Sequence, residues 1–241
     1  MADGLVIIPT YNELENIEAI IAAVMDLNKN FDVLIVDDNS PDGTAEMVRS
    51  LMSRYNNLNL EVRKDKSGLG TAYIHGFKWA LKRNYEYIFE MDADFSHRPQ
   101  DLVRLHRACL NGADVAIGSR YKRGVNVVNW PLYRILLSYG ASFYVKLITG
   151  MRIHDPTAGF VCYNRRVLEA IDLNAVRFIG YAFQIEMKFR AYRKKFRIEE
   201  VSIIFTDREK GKSKMSTSIV WEAVFGVISM RLWSIFNKNG F

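Results

Sequence analysis

The stretch EMDADFSH, residues 90–97, decides how the rest of the chain is interpreted. It follows an apolar run at 87–89, which is typical of a buried β-strand. Strand residues two apart point the same way, so we expect Asp92 and Asp94 to converge just past the carboxyl end of this strand. Open α/β sheets bind their ligands at that edge. Convergent carboxylates repel unless a proton or cation lies between them, and Mg²⁺ or Mn²⁺ would also bind a diphosphate.

An isolated Asp-x-Asp sequence is more often a pair of solvated turn residues than a metal site. The surrounding chain favours the metal site. Strand and helix signals alternate without interruption to residue 118, which predicts a mostly parallel α/β sheet flanked by helices. Three strands end in polar or acidic clusters, at 9–13, 37–42 and 92–94. Because parallel strands bring these ends to one edge, we expect them to form a single ligand site.

Composition fits one large globular domain with an anionic partner. The chain has 241 residues, 49% of them hydrophobic, and a formal net charge of +6. Nucleotide diphosphates and phospholipid headgroups suit that charge. Nucleic acid is not expected as a partner, because the basic residues lack the aromatic interleaving of a single-strand binding surface. Cys109 and Cys162 have no metal-ligand spacing and are expected to be reduced thiols of a cytosolic protein.

Familiar nucleotide-binding motifs are missing from the sequence. It has no G-x-x-x-x-G-K-[ST] sequence, so it is not a P-loop protein. Gly68 and Gly70 lack both the third glycine and the strand-one position of a dinucleotide site. The amino terminus has no basic region ahead of the apolar run at 5–8, and Pro9 follows at once, which predicts a first strand and not a signal peptide.

Two later segments have wide apolar faces. Along 131–149, polar residues recur at four-residue intervals among leucines and aromatic residues: Arg134, Ser138, Ser142 and Lys146. This pattern fits either an ordinary amphipathic core helix or a helix on a membrane interface. Residues 219–236 are at the short limit for a membrane span and contain Glu222. We predict an amphipathic helix there that packs on the domain or lies among headgroups, and no transmembrane helix.

Six motifs occur in the order found in a known enzyme family. They are PTYNE at 9–13, DDNSPDGT at 37–44, GLGTAY at 68–73, DADFSH at 92–97, GSRY at 118–121 and DPTAGF at 155–160. With them the chain resembles inverting family-2 glycosyltransferases of GT-A fold, and within these the dolichol-phosphate (polyprenol-phosphate) mannose synthases. The match spans about 5–215. It lacks the Q-x-x-R-W motif of processive synthases and the long C-terminal transmembrane region of some relatives, so a short, catalytic-domain form is expected.

This resemblance implies a Rossmann-like GT-A domain at 1–215 and an amphipathic helix at 216–241. It implies transfer of mannose from GDP-mannose to polyprenyl (dolichyl) phosphate with inversion, with Mg²⁺ or Mn²⁺ as cofactor. A cytoplasmic enzyme held peripherally on the cytoplasmic face of a membrane is expected. Whether a separate membrane-anchoring subunit is needed stays open.

The resemblance also implies roles for individual residues. The nucleotide-sugar site would comprise Pro9, Tyr11, Glu13, Val36, Asp38, Asp92, Ala93 and Asp94. Asp92 and Asp94 would hold the metal, with Asp94 preferred as the direct ligand, and the role of Ser96 stays open. The acceptor phosphate and the diphosphate would meet basic residues at Arg120, Arg208 and Lys214, with Arg134 as a further candidate. Without the resemblance, Arg208 and Lys214 fit a solvated basic loop equally well. The predicted catalytic set is Asp92, Asp94 and Arg120.

The expected reaction requires few catalytic groups from the protein. A phosphate oxyanion is already a nucleophile at neutral pH, so no general base is required and Glu186 is not assigned that role. His97 is expected to be a loop histidine and not a ligand. Glu13 and Asp38 favour guanine, because a carboxylate accepts hydrogen bonds from its N1 and N2 donors. Two alternatives stay open: hexosyl transfer from a UDP-sugar, and a non-catalytic nucleotide-binding scaffold at a membrane.

Overall fold

The structure is a computed structural model that describes residues 2–180, 182–208 and 217–236, with only the backbone described for 217–223. The strands in these ranges are β1 (Gly4–Thr10), β2 (Phe31–Asp37), β3 (Leu58–Val62), β4 (Tyr87–Glu90), β5 (Val115–Ser119), β6 (Val127–Val128), β7 (Val161–Asn164), β8 (Ile198–Ser202) and β9 (Phe205–Thr206). The helices are α1 (Leu14–Met25), α2 (Thr44–Leu51), α3 (Leu69–Leu81), α4 (Asp101–Leu110), α5 (Leu132–Thr149), α6 (Arg165–Ala170), α7 (Ala182–Arg193) and α8 (Thr217–Phe236).

Seven of the described strands form one sheet in the order β3-β2-β1-β4-β7-β5-β8. Neighbouring strands are parallel except at β7, which runs antiparallel to both β4 and β5. Strands β6 and β9 pair in parallel as a separate ribbon. The predicted mostly parallel sheet flanked by helices is confirmed. The predicted domain boundary at residue 215 lies outside the described residues.

The reversed direction of β7 has a consequence for the site. Val161, at the start of β7, pairs with Glu90, at the end of β4. The loop at 155–160 that precedes β7 therefore lies at the same edge as the carboxyl ends of β4 and β5. A parallel strand in this place would have carried that loop to the opposite edge.

Apolar side chains alternate between the two faces of the sheet and fill a core on each side. Leu5 and Ile7 of β1 pack in the cluster that includes residues of α3 and α7. Val6 and Ile8 pack in the other cluster, with α1, α2 and α4. All four β1 side chains are fully buried, as expected for a central strand covered on both faces.

The two cysteines, distant in sequence, are neighbours in this core. Cys109 on α4 and Cys162 on β7 are buried free thiols, with their Sγ atoms 3.4 Å apart. Their proximity arises from packing of a helix on a strand, which sequence spacing does not reveal.

Helix α5 turns Ser138 and Ser142 of its polar stripe inward, whereas Lys146 is exposed. Ser142 is buried, and Ser138 accepts a hydrogen bond of 2.8 Å from the Tyr121 hydroxyl. The outer face is apolar and exposed, with seven large side chains: Leu132, Tyr133, Leu136, Leu137, Tyr139, Phe143 and Leu147. Leu132 and Leu147 are each 70% exposed. An ordinary core helix would have the opposite orientation, so that alternative is wrong.

Helix α8 lies beside α5 and α7. Its Val224 carbonyl accepts a 2.8 Å hydrogen bond from the Tyr144 hydroxyl of α5, and Arg193 of α7 donates to the Ser234 carbonyl at 3.1 Å. The described part of its outer face exposes Phe225, Ile228, Leu232, Ile235 and Phe236. The predicted packing of this segment on the domain is observed. Within residues 2–180, 182–208 and 217–236, no helix combines the length and apolarity that a membrane crossing requires.

Gly76 provides a test of how tightly α3 packs on the sheet. A Cβ atom at this position would lie 2.7 Å from Ile7 Cγ2, whereas a Cβ on Gly140 of α5 would meet no atom within 4 Å. We expect Gly76→Ala to lower the free energy of unfolding by about 1–2 kcal/mol through overpacking. We expect the control Gly140→Ala to raise it by about 0.5–1 kcal/mol through helix propensity. Urea unfolding measures both, and a stabilising Gly76→Ala would contradict this packing.

Candidate active site

The carboxyl ends of β2, β1 and β4 lie side by side, and Asp37 fixes the turn between the first two. Its carboxylate accepts hydrogen bonds from Thr10 Oγ1 (2.7 Å), Ser40 N (2.8 Å) and Ser40 Oγ (2.7 Å). Asp37 is fully buried, so these bonds compensate its lost hydration. Asp37 is therefore structural and does not face a ligand.

Asp42 joins the loops that follow β1 and β2. It accepts hydrogen bonds from Leu14 N (3.1 Å) and Thr44 N (3.0 Å), at the starts of α1 and α2. Burial opposes the ionised form of Asp42, but these hydrogen bonds and that from the Thr44 hydroxyl lower its pKa overall. The first two motifs are thus held together as one unit.

The predicted nucleoside residues lie around this unit. Pro9 near the end of β1 pairs with Val36 near the end of β2. Tyr11 and Glu13 follow β1, and Asp38 follows β2. Two basic residues of the next loop approach them: Arg63 and Lys66. Arg63 Nε donates to Asp38 Oδ1 at 2.6 Å, and Lys66 Nζ lies 4.2 Å from the centre of the Tyr11 ring.

The Arg63 contact changes how Asp38 is interpreted. Burial raises the pKa of this carboxyl group, although the Arg63 guanidinium acts in the opposite direction. The sequence predicted a carboxylate available to guanine N1 and N2. In the structure, a base would have to share Asp38 with Arg63. The same arginine also donates to Thr71 Oγ1 at 2.8 Å, so it connects the first turn of α3 to this pocket.

The paired carboxylates lie just past β4, as predicted. Tyr73 donates from its hydroxyl to Asp92 Oδ1 at 3.4 Å. Arg208 Nη2 lies 3.2 Å from Asp94 Oδ2, and Ser96 N donates to Asp94 Oδ1 at 3.1 Å. Phe95, which follows Asp94, has φ of 58°, a left-handed conformation in the turn after the two aspartates.

Electrostatics at this pair indicate a shortage of positive charge. Burial and the neighbouring Asp94 raise the pKa of Asp92 to about 7, although Arg208 opposes the shift. A divalent cation would relieve this repulsion, so the two carboxylates fit such an ion. Among the described residues, no third acidic, histidine or cysteine side chain completes a cluster with them. Many Mg²⁺ sites contain only two protein carboxylates, and water and substrate phosphate provide the remaining ligands.

A layer of buried polar groups lies beneath Asp92. Glu90 is fully buried, and neither of its oxygens has a hydrogen-bond donor among the described residues. Burial raises the pKa of Glu90 to about 8, while the Lys188 charge and the Gln184 amide oppose that shift. Lys188, also fully buried, donates from Nζ to the Ala158 carbonyl at 2.6 Å. Burial lowers the pKa of Lys188 to about 8 despite the attraction of Glu90 and Asp155.

Two buried carboxylates, Asp155 and Glu200, position Arg120. Its Nε and Nη2 donate to Asp155 at 2.7 and 2.6 Å, in a bidentate pair, and Nη2 also donates to Thr157 Oγ1 at 2.8 Å. The Arg120 charge lowers the pKa of Asp155 although burial alone would raise it. Glu200 on β8 accepts the Asp155 backbone N–H at 3.0 Å. Strand β8 thus positions the loop at 155–160, and that loop positions Arg120.

The other predicted phosphate-binding residues occupy the same side. Arg134 on α5 donates to Asp207 Oδ2 at 2.7 Å, and its guanidinium carbon lies 4.2 Å from the Trp130 ring centre. Asp207 and Arg208 are adjacent, so this short segment reaches α5 through one side chain and Asp94 through the other. Lys214 lies outside the described residues.

Three further residues that the sequence analysis discussed are buried. His97 is buried and stacks on Phe160 at a centroid distance of 4.8 Å, and burial lowers its pKa to about 4, so it is neutral at physiological pH. Glu186 accepts two backbone N–H groups and pairs with Arg190 Nη2 at 2.7 Å. Neither group is available as a base. Ser96 Oγ is buried without a hydrogen-bond partner among the described residues.

Sequence reasoning missed several site residues. Arg63 belonged to a basic loop with no motif to single it out. Gln184, Glu186, Lys188 and Arg190 alternate along α7 at two-residue spacing, a pattern that does not mark one polar face of a helix. Their burial follows from α7 packing in the core, where every residue from Ala182 to Ala191 is buried.

Comparisons with known proteins identify the family of the chain. The family described as glycosyl transferase family 2 matches residues 5–172. The chain is 49% identical over 224 residues to the polyprenol monophosphomannose synthase of Mycolicibacterium smegmatis, covering 92% of this chain and 84% of that protein. It is 45% identical over 223 residues to the undecaprenyl-phosphate mannosyltransferase of Micrococcus luteus, covering 92% and 91%.

The fold also matches solved structures. One is glucosyl-3-phosphoglycerate synthase from Mycobacterium tuberculosis, solved with Mn²⁺, UDP-glucose and glycerol 3-phosphate. The TM-score is 0.67 with 16% sequence identity, over 97% of this chain and 79% of that one. At this identity the likeness concerns the fold.

The raised pKa of Asp92 predicts a pH-dependent stability. A carboxyl group whose pKa is 3.8 when unfolded and about 7 when folded binds more protons in the folded state between those values. The contribution of Asp92 to the stability of the metal-free protein therefore falls as pH rises from about 4 to 7. We expect Asp92→Asn to raise the free energy of unfolding by about 1–3 kcal/mol at pH 8 and by almost nothing at pH 4.

Urea unfolding at pH 4, 6 and 8 without metal measures this difference. Glu18→Gln, at an exposed position on α1, is the matched control for loss of a carboxylate. An Asp92→Asn variant that is destabilised at pH 8 would contradict the assignment of unrelieved repulsion to this site.

Proposed function

The chain belongs to glycosyl transferase family 2, and from this premise we propose that it transfers mannose from GDP-mannose to a polyprenyl phosphate, with inversion at the anomeric carbon and release of GDP. The observation that carries the proposal is the carboxylate pair at the end of β4, flanked by arginines of the 118–121 and 207–208 segments. Relatives named polyprenol monophosphomannose synthase and undecaprenyl-phosphate mannosyltransferase, at 49% and 45% identity, support the choice of sugar and acceptor.

On the donor side, Asp92 and Asp94 would hold a divalent cation together with the sugar-nucleotide diphosphate. Such an ion supplies charge stabilisation for the departing diphosphate. The solved structural neighbour with Mn²⁺ supports a divalent ion, and both Mg²⁺ and Mn²⁺ suit oxygen ligands. The residues that follow β1 and β2 would hold the nucleoside, with Tyr11 as a planar surface and Glu13 and Asp38 as acceptors.

On the acceptor side, three arginines bring positive charge to the same edge. Arg208 begins in an ion pair with Asp94, so an incoming phosphate competes with that carboxylate for its guanidinium. Arg120 is held by Asp155, which fixes its direction and leaves it partly neutralised. Arg134 on α5 forms an ion pair with Asp207, the residue next to Arg208. Charge-assisted bonds from such residues suit a phosphate monoester with nearly two negative charges.

The reaction requires no protein base. The acceptor phosphate oxygen carries its own negative charge, and it forms the new bond to the anomeric carbon as the bond to the GDP oxygen breaks. Direct displacement by one nucleophile inverts the configuration at that carbon. The protein aligns the two anions and balances their charge, which are the contributions of proximity and electrostatic preorganisation. Glu186, with both oxygens engaged, is consistent with this.

We further propose that the outer faces of α5 and α8 rest on a membrane surface. The acceptor is a lipid, and Arg134 links α5 to the segment that contains Arg208. The exposed leucines and aromatic side chains of α5 supply an apolar face of the kind found on interfacial helices. Docking by this face would place the acceptor phosphate next to the arginines.

The nearest alternative donor is a UDP-sugar. Arg63 donates a hydrogen bond to the Asp38 carboxylate, which leaves less of it for a base. The argument for guanine therefore depends on Glu13 as well and is weaker than the sequence suggested. A non-catalytic scaffold is disfavoured, because Asp92, Asp94 and the arginines are all positioned at one edge.

A donor and acceptor screen tests the proposed reaction. We expect mannosyl transfer from GDP-mannose to polyprenyl phosphate with Mg²⁺ or Mn²⁺, with GDP released only when the acceptor is present. Transfer from UDP-glucose should be at least about a hundredfold slower, since a site built for one base discriminates against another through unpaired polar groups. Product analysis by mass spectrometry and GDP release measure both quantities.

Asp94→Asn is the variant that links this activity to the metal. It should lower kcat/KM by about a hundredfold or more, because the developing diphosphate charge loses its principal partner. Asp101→Asn removes an acidic residue that pairs with Arg104 on α4 and is the matched control. Normal metal-dependent turnover by Asp94→Asn would exclude the proposed ligand.

Membrane association is tested on the outer face of α5. Leu137 and Leu147 are 69% and 70% exposed, and we expect Leu137→Glu/Leu147→Glu to weaken binding to phospholipid vesicles by about tenfold or more. Transfer to a short, water-soluble polyprenyl phosphate should be unchanged. Leu110→Glu on α4, an isolated leucine that is 56% exposed, is the control. Equal vesicle binding by all three proteins in a co-sedimentation assay would rule out this face as the docking surface.

A further inference from the structure

The amide of Gln184 is a polar group close to Asp92 that the mechanism above does not use. Gln184 is 2% exposed, and its Nε2 makes no hydrogen bond of ordinary geometry within the described residues, although its amide acts on the neighbouring Glu90 carboxyl group. A buried donor without an acceptor is rare in folded proteins, because its lost hydration is not compensated. At the border of a ligand site, such a donor indicates that the acceptor arrives with the ligand.

Lys188 fixes which end of the amide faces the site. Its Nζ lies 3.1 Å from Gln184 Oε1 and also donates to the backbone carbonyls of Gln184 and Ala158, at 3.0 and 2.6 Å. An ammonium group only donates hydrogen bonds, so the oxygen of the amide must be the atom turned toward it. The nitrogen is therefore the atom turned away from Lys188.

That nitrogen borders a space that also touches Asp92. A Cβ atom on residue 159 would lie 3.8 Å from Gln184 Nε2 and 4.0 Å from Asp92 Oδ2, and Gly159 leaves this position empty. Gly159 is partly exposed, so the space is open to the site. One side of it presents an N–H donor, and the other presents a carboxylate acceptor.

A hydroxyl group matches both sides, because its oxygen accepts a hydrogen bond from an amide N–H and its O–H donates one to a carboxylate. An ionised phosphate oxygen could accept from the amide but has no proton to donate to Asp92 Oδ2, so it would make only one of the two hydrogen bonds. The chemistry therefore selects an alcohol over an anion.

We propose that Gln184 is a specificity-determining residue that donates a hydrogen bond to one hydroxyl oxygen of the transferred hexose, in the space over Gly159. Lys188 acts as the positioning residue that orients the amide. This inference rests on the proposed glycosyl transfer, and it adds the contact through which the sugar itself is recognised. The competing explanation is that the amide serves only the neighbouring Glu90 and has no ligand.

Gln184→Met tests the contact, because it keeps the length of the side chain and removes the donor. The measurement is kcat/KM for GDP-mannose and for its 2-, 3-, 4- and 6-deoxy analogues, in the wild type and the variant. For GDP-mannose we expect about a tenfold loss in kcat/KM. For one analogue, which lacks the hydroxyl that Gln184 binds, the variant should match the wild type within about twofold. The Kd for GDP should stay within about twofold, because the amide does not touch the nucleotide.

Gln100→Met, the same substitution at an exposed position, is the matched control and should change none of these values. Gln184→Glu keeps an acceptor for Lys188 while removing the donor, so it provides the test if Gln184→Met fails to fold. An equal loss across all five donors, or no loss with GDP-mannose, would overturn the proposal in favour of a purely structural amide.

The outcome for the wild type separates this inference from the function on which it rests. If the wild type transfers glucose from UDP-glucose, the matching deoxy-UDP-glucose series tests the same contact. If the wild type transfers mannose and Gln184→Met does so equally well, only the Gln184 contact is wrong. If the wild type transfers no hexose, the proposed function and this contact both fail.

Discussion

Repulsion between Asp92 and Asp94 is the constraint on which the rest of the site depends. Strand β4 ends at Glu90, so both carboxylates lie just past its carboxyl end, and the surrounding structure only partly compensates their charge. Arg208 faces Asp94, and the Tyr73 hydroxyl faces Asp92. The remaining deficit appears as the raised pKa of Asp92. A protein that retains such a deficit is less stable without its ligand, and the same deficit favours binding of a cation with a diphosphate.

The buried groups behind these carboxylates form two separate supports. Glu200 and Asp155 hold Arg120 through backbone and side-chain bonds that run from β8 to β5. Lys188 holds the loop at 155–160 from below, through the Ala158 carbonyl. Both supports act on this loop, which the reversed strand β7 brings to the edge. One loop therefore sets the position of Arg120 and leaves the open space at Gly159.

The arrangement of the strand ends could be predicted from the sequence, because apolar runs followed by polar clusters identify parallel strands and the edge where they meet. The positions of Asp92, Asp94 and the nucleoside residues follow from that rule and from the motifs. The direction of β7 could not be predicted, since a short apolar run has no polarity along the chain. The contact between Arg63 and Asp38 joins residues 25 apart and depends on how a loop folds back. Periodicity identified two faces on α5 but could not tell which one packs inward.

The exposed apolar face of α5 has a consequence for handling the purified protein. In dilute buffer, its leucines and aromatic rings meet water, and the most direct way to remove that contact is for copies to adhere through the same face. If this face rests on a membrane as proposed, aggregates in a detergent-free preparation would reflect a missing bilayer and not a faulty fold. Mild detergent or lipid nanodiscs should restore a monodisperse sample, whereas raising the salt concentration should make adhesion stronger.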